Sequence, residues 1–328
     1  MNKLLLGVVS AASLGFAGSA SAQCGSIQVG APNWSTGEIV SAVDTFILSN
    51  GMGCDTTAVP APTKQVLPLA MGASDPLIVG EFWSNGVEPE QIAQLSEEGV
   101  IEITGRPFPE AGEFWFVSPA FAEAYPELDT VEEVLERSDL FGGSFYGCPV
   151  GVGWGCEHAN RNMFKAWGMA DKGWELENPG SGEGQSAIII DAYESDSNWF
   201  GYYWTPTAVA IGNELVVLDF GRDFVGKEEW GRCYSSAQPA GDCEYRETSY
   251  SVADVVTLVT GDLEDTYPEA YDYVVARTIS MAAISVADAK VSAGMTAAEA
   301  AIWYLNNHED EWTAWVSEDV ADAVRGAL

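Results

Sequence analysis

The stretch IQVGAPNWSTGEIVSAVDTFILSNG, residues 27–51, contains the unit that sets the fold class. Its first four residues form a short strand-like run, and residues 31–34 have the composition of a loop. Ser35 and Glu38 match an S-x-x-E capping box, and the apolar residues after them recur at helical spacing until Asn50-Gly51. The chain therefore opens with a strand, a loop and a helix, the unit from which α/β sheets are built.

The rest of the chain continues this alternation. Strand-like runs are predicted at residues 77–79, 100–103, 187–190 and 215–218, and helices near residues 90–98 and 130–136, at residues 274–291, and after a capping box at Thr296 and Glu299. Alternating strands and helices predict an α/β protein. A length of 328 residues favours two medium-sized units over one.

The composition excludes several classes of partner. The chain has 49 acidic against 14 basic residues and a formal net charge of −35, which would repel nucleic acids and anionic lipid surfaces. Small cations and zwitterions are better candidates. Because the acidic excess is spread along the whole chain and no D-x-D-x-D-G loop occurs, it indicates a solvated surface. A structural calcium ion is left open, without named ligands, and no cofactor is expected.

The first 22 residues match a secretory signal peptide. Lys3 precedes an apolar run at residues 4–16, and Ala20-Ser21-Ala22 forms an A-x-A cleavage site before Gln23. We therefore expect a soluble, exported and periplasmic protein. Cys24 follows Gln23 rather than the small residue of a lipidation signal, which argues against a lipid anchor.

Export makes disulfides the natural state of the six cysteines. Proximity along the chain predicts three pairs: Cys24 with Cys54, Cys148 with Cys156, and Cys233 with Cys243. The even number of cysteines also allows other pairings. The only two histidines are His158 and His308, and no C-x-x-C accompanies them, so a zinc site is not expected.

Three tryptophans lie at strand ends or in loops rather than on helical stripes. Trp83 ends an apolar run, Trp154 lies in Gly153-Trp154-Gly155-Cys156, and Trp204 lies in Tyr202-Tyr203-Trp204-Thr205-Pro206. Ligands of open α/β sheets bind outside the carboxyl ends of strands. Several indole faces meeting there would form a cage for a methylated ammonium group. The later Trp303, Trp312 and Trp315 are expected to pack helices instead.

These motifs, together with Gly72-Ala73-Ser74-Asp75 ahead of the strand that ends at Trp83, resemble a known family. It comprises the substrate-binding proteins of ABC importers for glycine betaine, choline and related osmolytes, and the resemblance extends over nearly the whole mature chain. It implies a two-lobed periplasmic binding protein fold (type II), in which each lobe is a mixed or parallel sheet flanked by helices. Lobe I is predicted at residues 23–112 and 214–328, and lobe II at residues 113–213.

The resemblance also implies the function. A monomer without enzymatic activity would close around a methylated-amine ligand and then dock on a permease served by a cytoplasmic ATPase. Trp83, Trp154 and Trp204 would form the walls of an aromatic box, with Trp115 and, less strongly, Trp34 as additions. Backbone N–H groups beside Gly155 and Cys156 would bind the anionic end of the ligand. Cys156 would pair with Cys148 and fix that loop.

Two departures from the family pattern bear on the ligand. Residues 84–88, after Trp83, contain no histidine or basic residue to hold a carboxylate. Glu157 directly follows Cys156, where it would complement a methylammonium head and repel a carboxylate, unless it is only the solvated start of a helix at residues 158–167. The preferred order of ligands is therefore trimethylamine N-oxide, choline, glycine betaine and dimethylsulfoniopropionate, with the first two close.

A secreted hydrolase is the competing class, with Glu81 and Glu157 as acid and base. Their spacing in sequence does not determine their separation in space, on which that chemistry depends. The chain contains neither a G-x-S-x-G nor an H-E-x-x-H motif. The motif tryptophans favour capture over catalysis.

Overall fold

A computed structural model describes residues 24–328. The predicted signal peptide, residues 1–22, lies outside this range. The strands are β1 Ser26–Ala31, β2 Asp55–Pro60, β3 Leu77–Trp83, β4 Ile101–Ile103, β5 Gly112–Val117, β6 Ser144–Tyr146, β7 Glu175–Glu177, β8 Phe200–Thr205, β9 Val216–Val217 and β10 Val255–Thr260. The helices are α1 Ser35–Phe46, α2 Val66–Met71, α3 Pro89–Glu97, α4 Pro119–Ala124, α5 Val131–Leu135, α6 Cys156–Ala166, α7 Gly182–Glu194, α8 Ala208–Gly212, α9 Lys227–Glu229, α10 Leu263–Thr266, α11 Pro268–Ala276, α12 Met281–Ser292, α13 Ala297–Asn307, α14 Glu309–Trp312 and α15 Glu318–Ala327.

The strands form two five-stranded mixed sheets, one in each lobe. The first has the order β2-β1-β3-β10-β4, with β1 parallel to β2 and β3, and β10 antiparallel to β3 and β4. The second has the order β7-β6-β8-β5-β9, with β6 parallel to β7 and β8, and β5 antiparallel to β8 and β9. The chain crosses between the sheets after β4 and again before β10. This confirms the two-lobed α/β fold, while the predicted lobe boundaries stay a prediction.

The three predicted disulfides are all present, Cys24–Cys54, Cys148–Cys156 and Cys233–Cys243. The first ties the start of β1 to the start of β2, and the second closes the loop that leads into α6. Among residues 24–328, no helix has both the length and the apolar character needed to cross a membrane.

Two predicted elements are wrong. Residues 187–190 lie inside helix α7, not in a strand, because Ser181 caps that helix through the backbone N–H of Gly184 and burial follows helical spacing at Gln185, Ile189 and Ala192. A short apolar run cannot distinguish a strand from one face of a helix.

The predicted helix at residues 274–291 is two helices, α11 and α12. Helix α11 ends before Arg277, whose buried side chain makes an ion pair with the buried Asp44 of α1 at 3.0 Å. Ser280 then caps α12 by accepting the N–H of Ala283.

The capping box is confirmed at Thr296 and Glu299 but wrong at Ser35 and Glu38. Helix α1 begins at Ser35 and has Trp34 as its N-cap residue, without a side-chain cap. The Trp34 indole N–H donates instead to Glu81 of β3 at 2.7 Å, so the N-cap residue makes a tertiary contact in place of a capping bond.

Candidate ligand-binding site

A small pocket lies in the cleft between the two sheets. Loops and strand ends from both lobes surround it. Its lining residues are Trp34, Thr63, Trp83, Asn85, Gly86, Glu113, Trp154, Gly155, Cys156, Tyr202 and Trp204. Three predicted walls, Trp83, Trp154 and Trp204, are therefore brought together, and Trp34 joins them.

Trp154 is the central member of this aromatic group. Its ring centroid lies 5.9 Å from that of Trp34 and 5.2 Å from that of Trp204, with interplanar angles of 87° and 82°. Because the ring planes are nearly perpendicular, the indole faces point in different directions and can form different walls of the pocket. The indole N–H of Trp154 donates to Asn33 Oδ1 at 2.8 Å, which links the loop before α6 to the loop after β1.

A buried carboxyl, that of Glu113 on β5, also lines the pocket. The Tyr202 hydroxyl donates to Glu113 Oε1 at 2.6 Å, and the Asn85 amide donates to Oε2. Burial raises the pKa of Glu113, while the hydrogen bonds from Tyr202, Asn85 and Tyr250 oppose that rise. The lining of this pocket, within residues 24–328, contains no Arg, Lys or His.

The two lobes meet at the pocket in direct hydrogen bonds to backbone carbonyls. The N–H of Lys64 donates to the carbonyl of Gly153 at 3.0 Å, and Asn33 Nδ2 donates to the carbonyl of Val152 at 3.0 Å. Gly86 and Gly155 lie against each other, so closely that a Cβ built on Gly155 would be 2.4 Å from the Gly86 Cα. The lobes are thus closed around the pocket.

Trp115 does not line this pocket, contrary to the prediction of a further wall. It is fully buried in lobe II among Phe145, Phe200 and Phe220, at centroid distances of 4.7, 5.8 and 5.3 Å. Its indole N–H donates to Asn160 Oδ1 at 3.1 Å. Trp115 is two residues further along β5 than Glu113 and contacts α6 through this hydrogen bond, so it belongs to the core of lobe II.

Glu157 is also absent from the pocket lining. Its Oε2 accepts the N–H of Gly151 at 2.9 Å, and its side chain contributes to a separate cavity beside Cys148 and Arg161. It lies in the first turn of α6, where an acid is favourable. Glu81 and Glu157 therefore do not face a common space, as a hydrolase acid and base would.

Five lining residues were not predicted from the sequence: Thr63, Asn85, Gly86, Glu113 and Tyr202. Tyr202 could have been found because it is two residues from Trp204 on β8, and alternate residues of a strand share a face. Glu113 could not, because only the pairing of β5 with β8 places it directly opposite Trp204.

The position of Glu157 yields a first testable prediction. We expect Glu157→Gln to leave the dissociation constant of any ligand of this pocket within about twofold, because the side chain is directed into its own loop. Titration calorimetry on the refolded protein measures this. A loss of tenfold or more would contradict the position described here and restore Glu157 as a contact of the ligand.

Two lobes that close on a small pocket between them are typical of substrate-binding proteins. Residues 25–307 match the family described as the substrate binding domain of ABC-type glycine betaine transport systems. The chain belongs to this family.

Solved structures share the fold at low sequence identity. The choline-binding protein of an ABC transporter, in complex with choline, has a TM-score of 0.71 at 18% identity, over 93% of this chain and 98% of that chain. The glycine betaine/L-proline-binding protein ProX of Borrelia burgdorferi has a TM-score of 0.68 at 14% identity, over 91% and 99%. Lactococcal OpuAC, closed with glycine betaine, has a TM-score of 0.65 at 16% identity, over 89% and 99%. No curated protein matches the chain.

Proposed function

We propose that this chain captures a methylated-ammonium osmolyte for an ABC importer, and that trimethylamine N-oxide is the first candidate ligand. The observation that carries the proposal is a pocket with four indoles, one buried carboxyl and no basic residue in its lining. The complexes with choline and glycine betaine solved for proteins of this fold support the ligand class.

The indoles would bind the trimethylammonium head. Trp34, Trp83, Trp154 and Trp204 are each only 6–8% exposed, so the methyl groups would be transferred from water to indole faces. Each cation–π contact contributes about 0.5–2 kcal/mol. Three or four of them, with burial of the methyl groups, support roughly micromolar binding, about −8 kcal/mol.

Glu113 would select among the ligands that carry this head. A ligand carboxylate in this pocket would face Glu113 without a basic side chain to compensate, which disfavours glycine betaine and dimethylsulfoniopropionate. The oxygen of trimethylamine N-oxide accepts hydrogen bonds, and a protonated Glu113 would donate one. Backbone N–H groups beside Gly155 and Cys156 could donate others.

Choline is the second candidate, because its hydroxyl would donate to an ionised Glu113. The two ligands therefore require opposite protonation states of the same carboxyl. In both cases the closed protein would deliver its ligand to a membrane permease, as a monomer in the periplasm.

The opposite requirements predict opposite pH dependences. Because burial raises the pKa of Glu113, affinity for trimethylamine N-oxide should fall as pH rises through that pKa, by up to about tenfold per pH unit. Affinity for choline should rise over the same interval. Calorimetric titrations with trimethylamine N-oxide, choline and glycine betaine in parallel, after unfolding and refolding to remove endogenous ligand, measure these slopes.

Glu113→Gln is the matched variant. Its amide still donates a hydrogen bond but does not titrate, so the fall in trimethylamine N-oxide affinity at high pH should disappear, and choline should bind more weakly. Glycine betaine binding more tightly than the other two ligands in the wild-type protein would contradict the assigned selectivity. Absence of binding by all three would contradict the proposed function.

A further inference from the structure

Behind the aromatic walls lies a second buried carboxylate, which does not line the pocket. Glu81 is 1% exposed, and its Oε1 accepts the indole N–H of Trp34 at 2.7 Å, the indole N–H of Trp83 at 2.9 Å and the hydroxyl of Thr36 at 3.2 Å. Its Oε2 is buried and has no hydrogen-bond partner within residues 24–328. One carboxylate oxygen thus holds two walls of the cage.

We propose that Glu81 is the positioning residue of the cage: it fixes the orientation of Trp34 and Trp83, and its negative charge strengthens the attraction of their ring faces for a methylated cation. This inference rests on the proposed function. It assigns to Glu81 a share of the pocket's selectivity for cations over neutral molecules of the same shape.

The geometric part of the argument follows from the shared acceptor. Trp34 lies in the loop after β1 and Trp83 at the end of β3, so their rings come from separate segments of lobe I. A single oxygen that accepts both N–H groups determines the angle between the two rings before any ligand enters. Such preorganisation reduces the ordering that binding would otherwise require.

The electrostatic part follows from the charge of the acceptor. A hydrogen bond from an indole N–H to a carboxylate is charge-assisted and stronger than one to a neutral oxygen. The bond draws the indole proton toward the acceptor and increases electron density on the ring, the feature to which a cation is attracted. The carboxylate also attracts the cation directly in a dry environment.

The surroundings of Glu81 contain one further acid and one ion pair. Asp288 of α12 is buried, accepts the N–H of Ala208 at 2.7 Å, and by its charge opposes ionisation of Glu81. Arg277 and Asp44 pair beside the preceding residue, Gly80, whose carbonyl accepts Arg277 Nη2 at 3.2 Å. Burial raises the pKa of Glu81 to about 7, against the hydrogen bonds from Trp83, Trp34 and Thr36.

The charge on Glu81 is therefore titratable near neutral pH. The cage should bind its ligand best above the pKa of Glu81 and lose affinity as pH falls through it. For trimethylamine N-oxide, this loss of affinity at low pH (the acid limb) is opposite in direction to the loss of affinity at high pH (the alkaline limb) that is expected from Glu113. Two buried carboxyls with opposite requirements predict a bell-shaped dependence of affinity on pH.

The experiment compares wild-type protein with Glu81→Gln, with Glu157→Gln as the matched carboxyl-to-amide control. Gln still offers a carbonyl oxygen to the indoles but carries no charge. We expect Glu81→Gln to weaken trimethylamine N-oxide binding about tenfold at pH 8 and to abolish the acid limb. Glu157→Gln should retain both the affinity and the limb. An acid limb that persists in Glu81→Gln, or an affinity within twofold of wild type, would overturn the proposal.

A second readout needs no ligand. In protein labelled with ¹⁵N at tryptophan, the indole N–H signals of Trp34 and Trp83, assigned with Trp34→Phe and Trp83→Phe, should shift with pH around a midpoint near 7. They should not titrate there in Glu81→Gln. Signals that do not change with pH in the wild type would contradict the titration of Glu81 near neutral pH, and with it the acid limb. If the wild type binds no methylated amine while these signals still titrate, the proposed function fails and the arrangement around Glu81 stands.

Discussion

Trp154→Ala is expected to lower the affinity for a methylated-ammonium ligand by about hundredfold or more, that is, by at least ~2.7 kcal/mol. Trp154 packs edge-to-face on both Trp34 and Trp204, so its removal takes away one wall and leaves two others without support. It also removes the hydrogen bond to Asn33 that joins the loop before α6 to lobe I. Loss of a buried, central aromatic is the costliest kind of truncation in a binding site.

Titration calorimetry against trimethylamine N-oxide and choline measures this loss, and Trp303→Ala is the control. Trp303 is half-buried on α13, where Lys290 lies 4.4 Å from its ring centroid, and it does not line the pocket. Its removal should leave affinity within about twofold. An affinity of Trp154→Ala within threefold of wild type would refute the aromatic cage.

Gly155→Ala is expected to lower affinity by about thirty- to hundredfold while leaving each lobe folded. The new Cβ would lie 2.4 Å from the Cα of Gly86 and 3.2 Å from its carbonyl carbon and oxygen. Backbone cannot yield as the end of a flexible side chain can, so the lobes must separate to make room. Overpacking of this kind costs about 1–3 kcal/mol, and here the cost falls on the closed state.

Two measurements separate this effect from unfolding. Calorimetry reports the affinity, and small-angle scattering with saturating ligand should show a larger radius of gyration for Gly155→Ala than for wild type, with unchanged circular dichroism. Gly212→Ala is the matched control, because a Cβ there meets no atom within 4 Å. Wild-type affinity and compactness in Gly155→Ala would show that Gly86 and Gly155 do not meet in the ligand-bound protein.

Local patterns predicted the parts of this protein that short-range interactions determine. The opening strand and helix, the capping box at Thr296 and the disulfides between nearby cysteines all follow from residues close together in the chain. The loop and strand-end positions of Trp83, Trp154 and Trp204 likewise indicate a pocket from the sequence alone. The same reasoning was wrong for residues 187–190, since four apolar residues fit either period.

Only the tertiary structure shows which acidic residues lie at the pocket. The sequence predicts Glu157, beside the Gly-Trp-Gly-Cys motif, as the acid of the site, yet its carboxylate turns back to Gly151. Glu113 occupies that place instead, because antiparallel pairing sets it opposite Trp204, 91 residues away. Glu81 likewise contacts two pocket tryptophans only because the loop before α1 and strand β3 come together, so that one oxygen accepts both indole N–H groups.

The amino-acid sequence is sufficient to predict the α/β class, the disulfides and the aromatic character of the pocket, because periodicity, cysteine proximity and tryptophan placement are properties of short segments. The two-lobed arrangement was implied by the resemblance to a known family. The tertiary structure is needed to learn which carboxyl lines the pocket, which tryptophan belongs to the core, and that Gly86 and Gly155 meet where the two lobes close. Strand register and lobe closure bring together residues that no local pattern relates. Burial of the acidic residues at those contacts then raises the pKa of their carboxyls.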